Sequence, residues 1–167
     1  MPFTPYHFGP SGFVGLVFRK WIDLPVFLLA NVVVDIEVLF AEGWPQHRHW
    51  HWHTLLIGAV VGIVWAIAAY PLRNFFKKIM QLLRLPYKTG FWKMVFSGVL
   101  GVWFHVVIDS VYHYDVQVFW PVKTNPLFGL LPPQTIPLIC TISFIAAIAF
   151  YMIVSQSQTG KTKRRRS

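Results

Sequence analysis

Four long apolar runs constrain the fold of this chain more than any other feature of its sequence. They cover residues 23–40, 54–72, 91–112 and 136–154, and each approaches the roughly 20 apolar residues that one helical crossing of a bilayer requires. Only 13% of the residues are charged, whereas soluble domains carry about a quarter, and the mean hydropathy is +0.50. The sequence therefore predicts an all-α integral membrane bundle of four long helices.

A shorter apolar stretch precedes these runs, and a proline-rich segment separates the last two. Residues 8–18 are rich in glycine and phenylalanine, which predicts a short N-terminal helix, either tilted or re-entrant. Residues 121–137 contain too many prolines to continue a helix and are predicted to form an ordered loop. We expect residues 1–155 to form one membrane-embedded helical domain and residues 156–167 to form a basic, disordered cytoplasmic tail.

The formal net charge of +9 comes from lysines and arginines that flank the apolar runs. They lie at Arg19 and Lys20, in the acid-free segment 73–93, which is predicted to be a loop, and in the tail at 161–166. These places fall on one side of a four-span topology, as the positive-inside rule requires of cytoplasmic segments. The charge therefore predicts the lipid membrane as partner and not nucleic acid, since no nucleic-acid-binding motif accompanies it. Asp23 is predicted to be a helix N-cap on this same side.

The other polar residues gather on the opposite, extracytoplasmic face of that topology. All seven histidines and four of the six acids are predicted there. They are His7, His47, His49, His51, His53, His105 and His113, with Asp35, Glu37, Asp109 and Asp115. For His47 and His51, contact with lipid headgroups is an equal alternative. Because Cys140 is the only cysteine, any metal on this face must be held by imidazole and carboxylate groups.

The spacing of these residues favours a shared site. His105 and Asp109 are four residues apart on a predicted helix and therefore share one face, and His113 continues that line. Asp35 lies within an apolar run, where a charged carboxylate needs a partner or a cation. Since most basic residues are predicted on the other side, a divalent metal such as zinc, manganese or iron accounts for this cluster better than a structural network.

Several short motifs occur in an order that resembles a known group of proteins. They are TPYHFGP at residues 4–10, NVVVDIE at 31–37, His49-x-x-x-His53-Thr54, His105-x-x-x-Asp109-Ser110, and His113-Tyr114-Asp115 continuing to Trp120-Pro121. Together they resemble the membrane-bound metal-dependent hydrolases, which include a family described as LexA-regulated, inner-membrane-associated hydrolases. That family is in turn similar to the superfamily of zinc-dependent phospholipase C and single-strand nucleases, an all-helical fold that holds two or three zinc ions.

The resemblance implies a set of metal ligands in this chain. They are His7, Asp35, His53, His105, Asp109 and His113, with His49 added from the membrane family's own motif. Histidines at alternate positions from His47 to His53 leave the partner of His53 open. The last apolar run supplies no acid or histidine for a second His-x-x-x-acid pair, which implies one or two ions, with zinc preferred.

The resemblance also implies a multi-pass inner-membrane hydrolase, and the charge distribution predicts that its site faces the extracytoplasmic side. It would act on phosphoester or lipid-headgroup substrates through a metal-activated water, with Asp35, His53 and Asp109 as catalytic residues, while Arg48 and Lys123 neutralise a substrate phosphate. The alternatives are a haem-binding or other non-catalytic membrane metal-binding protein, a pathway for metal ions or protons, and a scaffold with an inactive site. The sequence leaves the substrate, the number of ions and the oligomeric state open.

Overall fold

The computed structural model describes the backbone of residues 4–40 and 51–164 and the side chains of residues 6–37 and 51–157, and these ranges contain helices and no strand. The six α-helices are α1 (Phe8–Val17), α2 (Leu24–Phe40), α3 (Leu55–Ala69), α4 (Arg73–Leu82), α5 (Phe91–Tyr112) and α6 (Thr135–Arg164). Short 3-10 segments occur at Thr4–His7, His51–His53 and Tyr70–Leu72. The predicted all-α bundle of four long helices and a short N-terminal one is confirmed.

Three helical segments of the described chain are long and apolar enough to cross a membrane. They are Leu55–Leu82, Phe91–Tyr112 and Thr135–Ser157. The fourth predicted span, α2, has 17 residues and is therefore about 25 Å long, slightly shorter than the roughly 30 Å hydrocarbon core of a bilayer. The proline-rich segment before α6 lacks regular helix, as predicted, until α6 begins at Thr135.

The basic segment 73–93, predicted as a loop, begins with helix α4. The 3-10 turn Tyr70–Leu72 links α3 to α4, and the ten residues of α4 contain no glycine or proline to interrupt a helix. Phe76 and Met80 are four residues apart and therefore share one face of α4. Both are buried, so this face packs against the bundle. The loop prediction was wrong for the residues of α4, because it was based on their charges and did not consider the apolar face that packs against the bundle.

Helix α6 continues to Arg164 and so extends beyond the predicted domain boundary at residue 155. The division into a membrane domain and a separate tail of residues 156–167 stays a prediction.

Close contacts between small residues pack α5 against α3 and α2. A Cβ atom placed on Gly62 of α3 would lie 2.7 Å from the Gly98 carbonyl oxygen of α5. A Cβ atom placed on Gly101 would lie 2.6 Å from the Phe27 carbonyl oxygen of α2. Only glycine permits these approaches, which are typical of helix pairs within membranes. These contacts hold α2 and α5 side by side, so that their C-terminal halves lie close together.

The other ends of α2 and α5 are joined through Asp23, which is fully buried. Its backbone N–H donates to Ser97 Oγ at 2.6 Å, and its Oδ1 accepts the Val26 N–H at 3.4 Å, which is the predicted N-cap bond. Its Oδ2 accepts the Tyr87 hydroxyl at 2.9 Å and also the Thr89 hydroxyl. Burial and the nearby Asp23 carboxylate raise the pKa of Tyr87 above its usual range, so that the phenol keeps its proton and donates.

Candidate metal centre

Four side chains from three elements meet at the end of the bundle opposite to Asp23. Asp35 comes from α2, His53 from the 3-10 turn before α3, and His105 and Asp109 from consecutive turns of α5. One potential ligand atom from each lies within 4.8 Å of the other three. The two histidines and Asp109 are buried, whereas the side chain of Asp35 is 21% exposed. The group therefore has one solvent-accessible member.

The nitrogen and oxygen atoms of this group alternate around a common point. His105 Nε2 lies 3.0 Å from Asp35 Oδ1 and 2.9 Å from Asp109 Oδ2. His53 Nε2 lies 3.4 Å from the same Asp35 oxygen and 3.8 Å from the same Asp109 oxygen. In a tetrahedral site with metal–ligand bonds of about 2.0 Å, neighbouring ligand atoms are roughly 3.3 Å apart. The four observed distances bracket that value.

The imidazole of His105 has the orientation expected of a metal ligand. Its Nε2 atom is fully buried and lies 3.0 Å from Asp35 Oδ1 and 2.9 Å from Asp109 Oδ2, but neither contact has the geometry of a regular hydrogen bond. A ring nitrogen carries at most one proton and cannot donate it to both oxygens in good geometry. A cation held between the nitrogen and the two oxygens would satisfy all three atoms, so the donor set fits a divalent metal.

Glu37 fixes the tautomer of His53 from behind. The His53 Nδ1–H donates to Glu37 Oε2 at 3.0 Å, because an ionised carboxylate can only accept. The Trp52 N–H donates to the same carboxylate, 3.0 Å from each oxygen. This arrangement leaves Nε2 of His53 facing the centre of the group, as in the carboxylate–histidine pairs of known metal sites.

The pKa of His53 reflects the same contacts. Burial alone would lower the pKa, but the hydrogen bonds to Asp35 and Glu37 outweigh it and raise the pKa above the usual value of 6.5. The metal-free imidazole therefore keeps its second proton to a higher pH than a free histidine does, and a metal ion that binds at Nε2 would displace a proton there.

His7 contacts the group through Asp109. Its Nε2 atom lies 2.9 Å from Asp109 Oδ1, the oxygen on the far side of the carboxylate from His105. The His7 ring also stacks on the His105 ring, with 4.1 Å between centroids and 19° between planes. His7, predicted as a ligand, is thus adjacent to the four-residue group without belonging to it.

Two other predicted ligands differ in their placement. His113 follows the last residue of α5, and its N–H donates to the Asp109 carbonyl at 2.7 Å. It stands outside the four-residue group, and its role as a ligand stays a prediction. His49 lies outside the described residues, as do His47 and Arg48.

Glu37 was predicted at this rim but not among the site residues. It lies two positions after Asp35, and residues two apart on a helix normally point in different directions. The two ring nitrogens of His53 point in different directions, however, so that Nε2 contacts Asp35 while Nδ1 contacts Glu37. An acid in an otherwise apolar run was the signal that pointed to it.

The geometry leaves no room for haem between the two central histidines. Their ring centroids are 5.5 Å apart at an angle of 61°. Carboxylate oxygens of Asp35 and Asp109 occupy the space that a porphyrin would need, because each oxygen contacts both Nε2 atoms within 3.8 Å. Haem ligation by two histidines requires them on opposite faces of a macrocycle.

Comparison with known proteins identifies the family. No curated protein and no solved structure matches the chain. A family model described as "YdjM inner membrane protein" matches residues 22–165, which is most of the chain and includes all four residues of the group. The chain therefore belongs to the YdjM inner membrane protein family.

Proposed function

We propose that this protein is a membrane-bound metal-dependent hydrolase with a divalent cation, preferably zinc, at the group of Asp35, His53, His105 and Asp109. The observation that carries the proposal is the convergence of four potential ligand atoms within 4.8 Å of one another, with the buried His105 Nε2 2.9 and 3.0 Å from two carboxylate oxygens. Imidazole and carboxylate donors at these separations suit zinc. His7, His113 and His49 are the candidates for holding a second ion.

The residues divide into buried holders and one accessible partner. His53, His105 and Asp109 would hold the ion, which leaves a fourth position next to the partly exposed carboxylate of Asp35. Bound zinc supplies Lewis acidity and activates water at a pH of about 7. Asp35 accepts the proton of the attacking water, while Glu37 keeps His53 in the tautomer that binds through Nε2.

The surroundings support an amphiphilic or anionic substrate, such as a phosphoester or a lipid headgroup. An apolar recess of about 260 Å³ is lined by Tyr6, Cys140, Thr141 and Phe144, with Tyr6 directly before His7 in the chain. Such a recess suits the hydrocarbon part of a substrate. The charge distribution supports an extracytoplasmic location for the site, because the basic segment around α4 is at the other end of the bundle.

A non-catalytic metal site is the second candidate, and the burial of the group favours it. Four protein donors close a tetrahedral shell, as they do in structural zinc sites, whereas catalytic sites keep one position open. The two candidates differ in the role of Asp35, which is either a fourth ligand or a proton acceptor.

Elemental analysis of the detergent-purified protein tests the metal site. We expect about one ion per chain in the wild type and none in the double variant His105→Ala, Asp109→Ala. The matched control is His51→Ala, since His51 is an exposed imidazole at the same end whose ring contacts Trp120. Equal metal contents in wild type and double variant would refute the assignment.

A second measurement separates catalysis from passive binding. The metal-loaded wild type and the Asp35→Asn variant are assayed with chromogenic phosphomonoester and phosphodiester substrates and with phospholipid in mixed micelles. The hydrolase proposal expects Asp35→Asn to retain metal and to lose at least about 100-fold in kcat, as expected for a lost general base. Two results together would favour the non-catalytic site. The Asp35→Asn variant would lose the metal, and the wild type would be inactive on all of these substrates.

A further inference from the structure

An apolar groove opens between α1, the start of α2 and α6, and extends to the turn after α4. Its volume is about 270 Å³, and its surface is almost entirely hydrocarbon. The residues that shape it include Gly12, Leu16, Leu28, Leu85, Ala147 and Tyr151. An apolar cavity of about 150 Å³ accepts benzene, so this groove is large enough for a hydrocarbon segment of roughly ten carbons.

Basic residues surround the end of the groove that is remote from the metal centre. Arg19 lies three residues beyond Leu16; its guanidinium donates to the Leu16 carbonyl at 2.8 Å and lies 5.7 Å from the centre of the Phe150 ring. Arg84 is exposed and stands between Leu83 and Leu85, which both line the groove. One guanidinium group, that of Arg19, therefore lies beside an opening whose walls are apolar, and the backbone of Arg84 forms part of its edge.

A bridging lysine brings the backbone of a third basic residue, Lys88, close to that of Arg19. The ammonium of Lys93 donates to the Arg19 carbonyl at 3.1 Å and to the Lys88 carbonyl at 2.8 Å. Asp23 is the one acid at this end within the described ranges, and it is buried beneath its hydroxyl partners. The exposed cations at the mouth are therefore not neutralised by a surface acid of the described chain.

We propose that this groove is a binding site for one anionic phospholipid, with an acyl chain in the groove and the phosphate among Arg19, Arg84 and Lys88. The apolar walls fit the chain, and the charges at the mouth fit the headgroup. A zwitterionic lipid would make the same acyl-chain contacts but would be attracted less strongly by the basic residues. Each basic residue near an anionic headgroup increases affinity about five-fold. The site is separate from the metal centre and independent of the hydrolase proposal.

One variant tests the groove by filling it. A Cβ atom on Gly12 would lie 3.7 Å from the Ala147 Cβ atom, an ordinary contact, so the backbone accepts a side chain that points into the groove. We expect Gly12→Leu to weaken binding of phosphatidylglycerol and phosphatidylcholine with identical chains by at least five-fold, and Gly12→Ala to bind nearly as the wild type does. Native mass spectrometry of the detergent-purified protein during lipid titration measures both affinities. Unchanged binding by Gly12→Leu would overturn the proposal.

A second pair of variants tests the headgroup contacts without altering the core. Arg84→Asn and Lys88→Gln together remove two exposed charges, and asparagine suits residue 84 because its φ is 55°. We expect this double variant to lose the preference for phosphatidylglycerol over phosphatidylcholine by roughly 25-fold. The matched control, Lys77→Gln with Lys78→Gln, removes two equally exposed charges from α4 and should retain the preference. Equal losses in both double variants would indicate a diffuse basic surface and would overturn the site.

Discussion

The contact between Glu37 and His53 leads to a quantitative prediction about metal affinity. In the wild type, the Glu37 carboxylate accepts the Nδ1–H of His53 and the N–H of Trp52. The variant Glu37→Gln keeps the shape of the side chain but has only one oxygen acceptor for two donors. If its amide N–H turns to His53, the imidazole must carry its proton on Nε2, where the metal would bind.

The expected loss follows from the bond that the variant removes. A hydrogen bond to a charged group contributes about 1.5–3 kcal/mol, and each 1.4 kcal/mol corresponds to about ten-fold in affinity. We therefore expect Glu37→Gln to bind zinc about 10- to 100-fold more weakly, the range typical of residues that orient a metal-binding histidine. The metal should still bind, since all four members of the central group remain.

Competition with a chromophoric chelator in detergent measures this affinity, and the visible spectrum of the cobalt-substituted protein reports the coordination geometry. Asp23→Asn is the matched control, because it changes a buried carboxylate to an amide at the other end of α2. A zinc Kd for Glu37→Gln within two-fold of the wild type would refute the orienting role. So would an equal loss of affinity in Asp23→Asn, which would indicate general destabilisation.

Three further predictions concern stability in detergent, each measured as a thermal midpoint. Because the pKa of His53 is raised, its stabilising charge is present at low pH and lost as the pH rises above 6.5. The thermal midpoint of the metal-free wild type should therefore exceed that of His53→Gln at low pH, and this excess should disappear between pH 6.5 and alkaline pH. A difference in midpoint that does not change with pH would contradict this prediction. Gly98→Leu should cost about 3 kcal/mol or more through overpacking at the α3–α5 contact, whereas Gly90→Leu, whose Cβ would meet no atom within 4 Å, should change little. Asp23→Ala should cost about 2–4 kcal/mol, because it removes the charged acceptor of two partly buried hydroxyl donors. A thermal midpoint equal to that of the wild type would contradict this role of Asp23.

The helical architecture could be predicted because the bilayer makes long apolar runs nearly unambiguous. Helix α4 was missed for the opposite reason. Its charged residues resemble those of a cytoplasmic loop, and only the packing of Phe76 and Met80 against the bundle reveals a fixed helix. A ten-residue segment has too little periodic signal to separate a helix from a loop when half of its surface is polar.

The candidate site could be predicted in part, and the division has a physical basis. His105 and Asp109 follow from helical spacing, and Asp35 follows from the cost of a carboxylate in an apolar run. The orientation of His53 could not be derived, because alternate histidines before α3 offered several registers. Glu37 could not be assigned either, since its role depends on an imidazole that reaches α2 from another element.

Helices α2 and α5 run parallel in one fixed register, which explains how distant residues acquire the geometry of the metal centre. Asp23 meets Ser97, Phe27 meets Gly101, and Asp35 meets His105 and Asp109. These contacts recur at intervals of one or two helical turns along both helices. A shift of one residue would separate the first pair, force the Gly101 contact apart and rotate the acids away from the histidines. The register of the two helices therefore brings Asp35 against His105 and Asp109, although these residues lie about 70 positions apart in the chain.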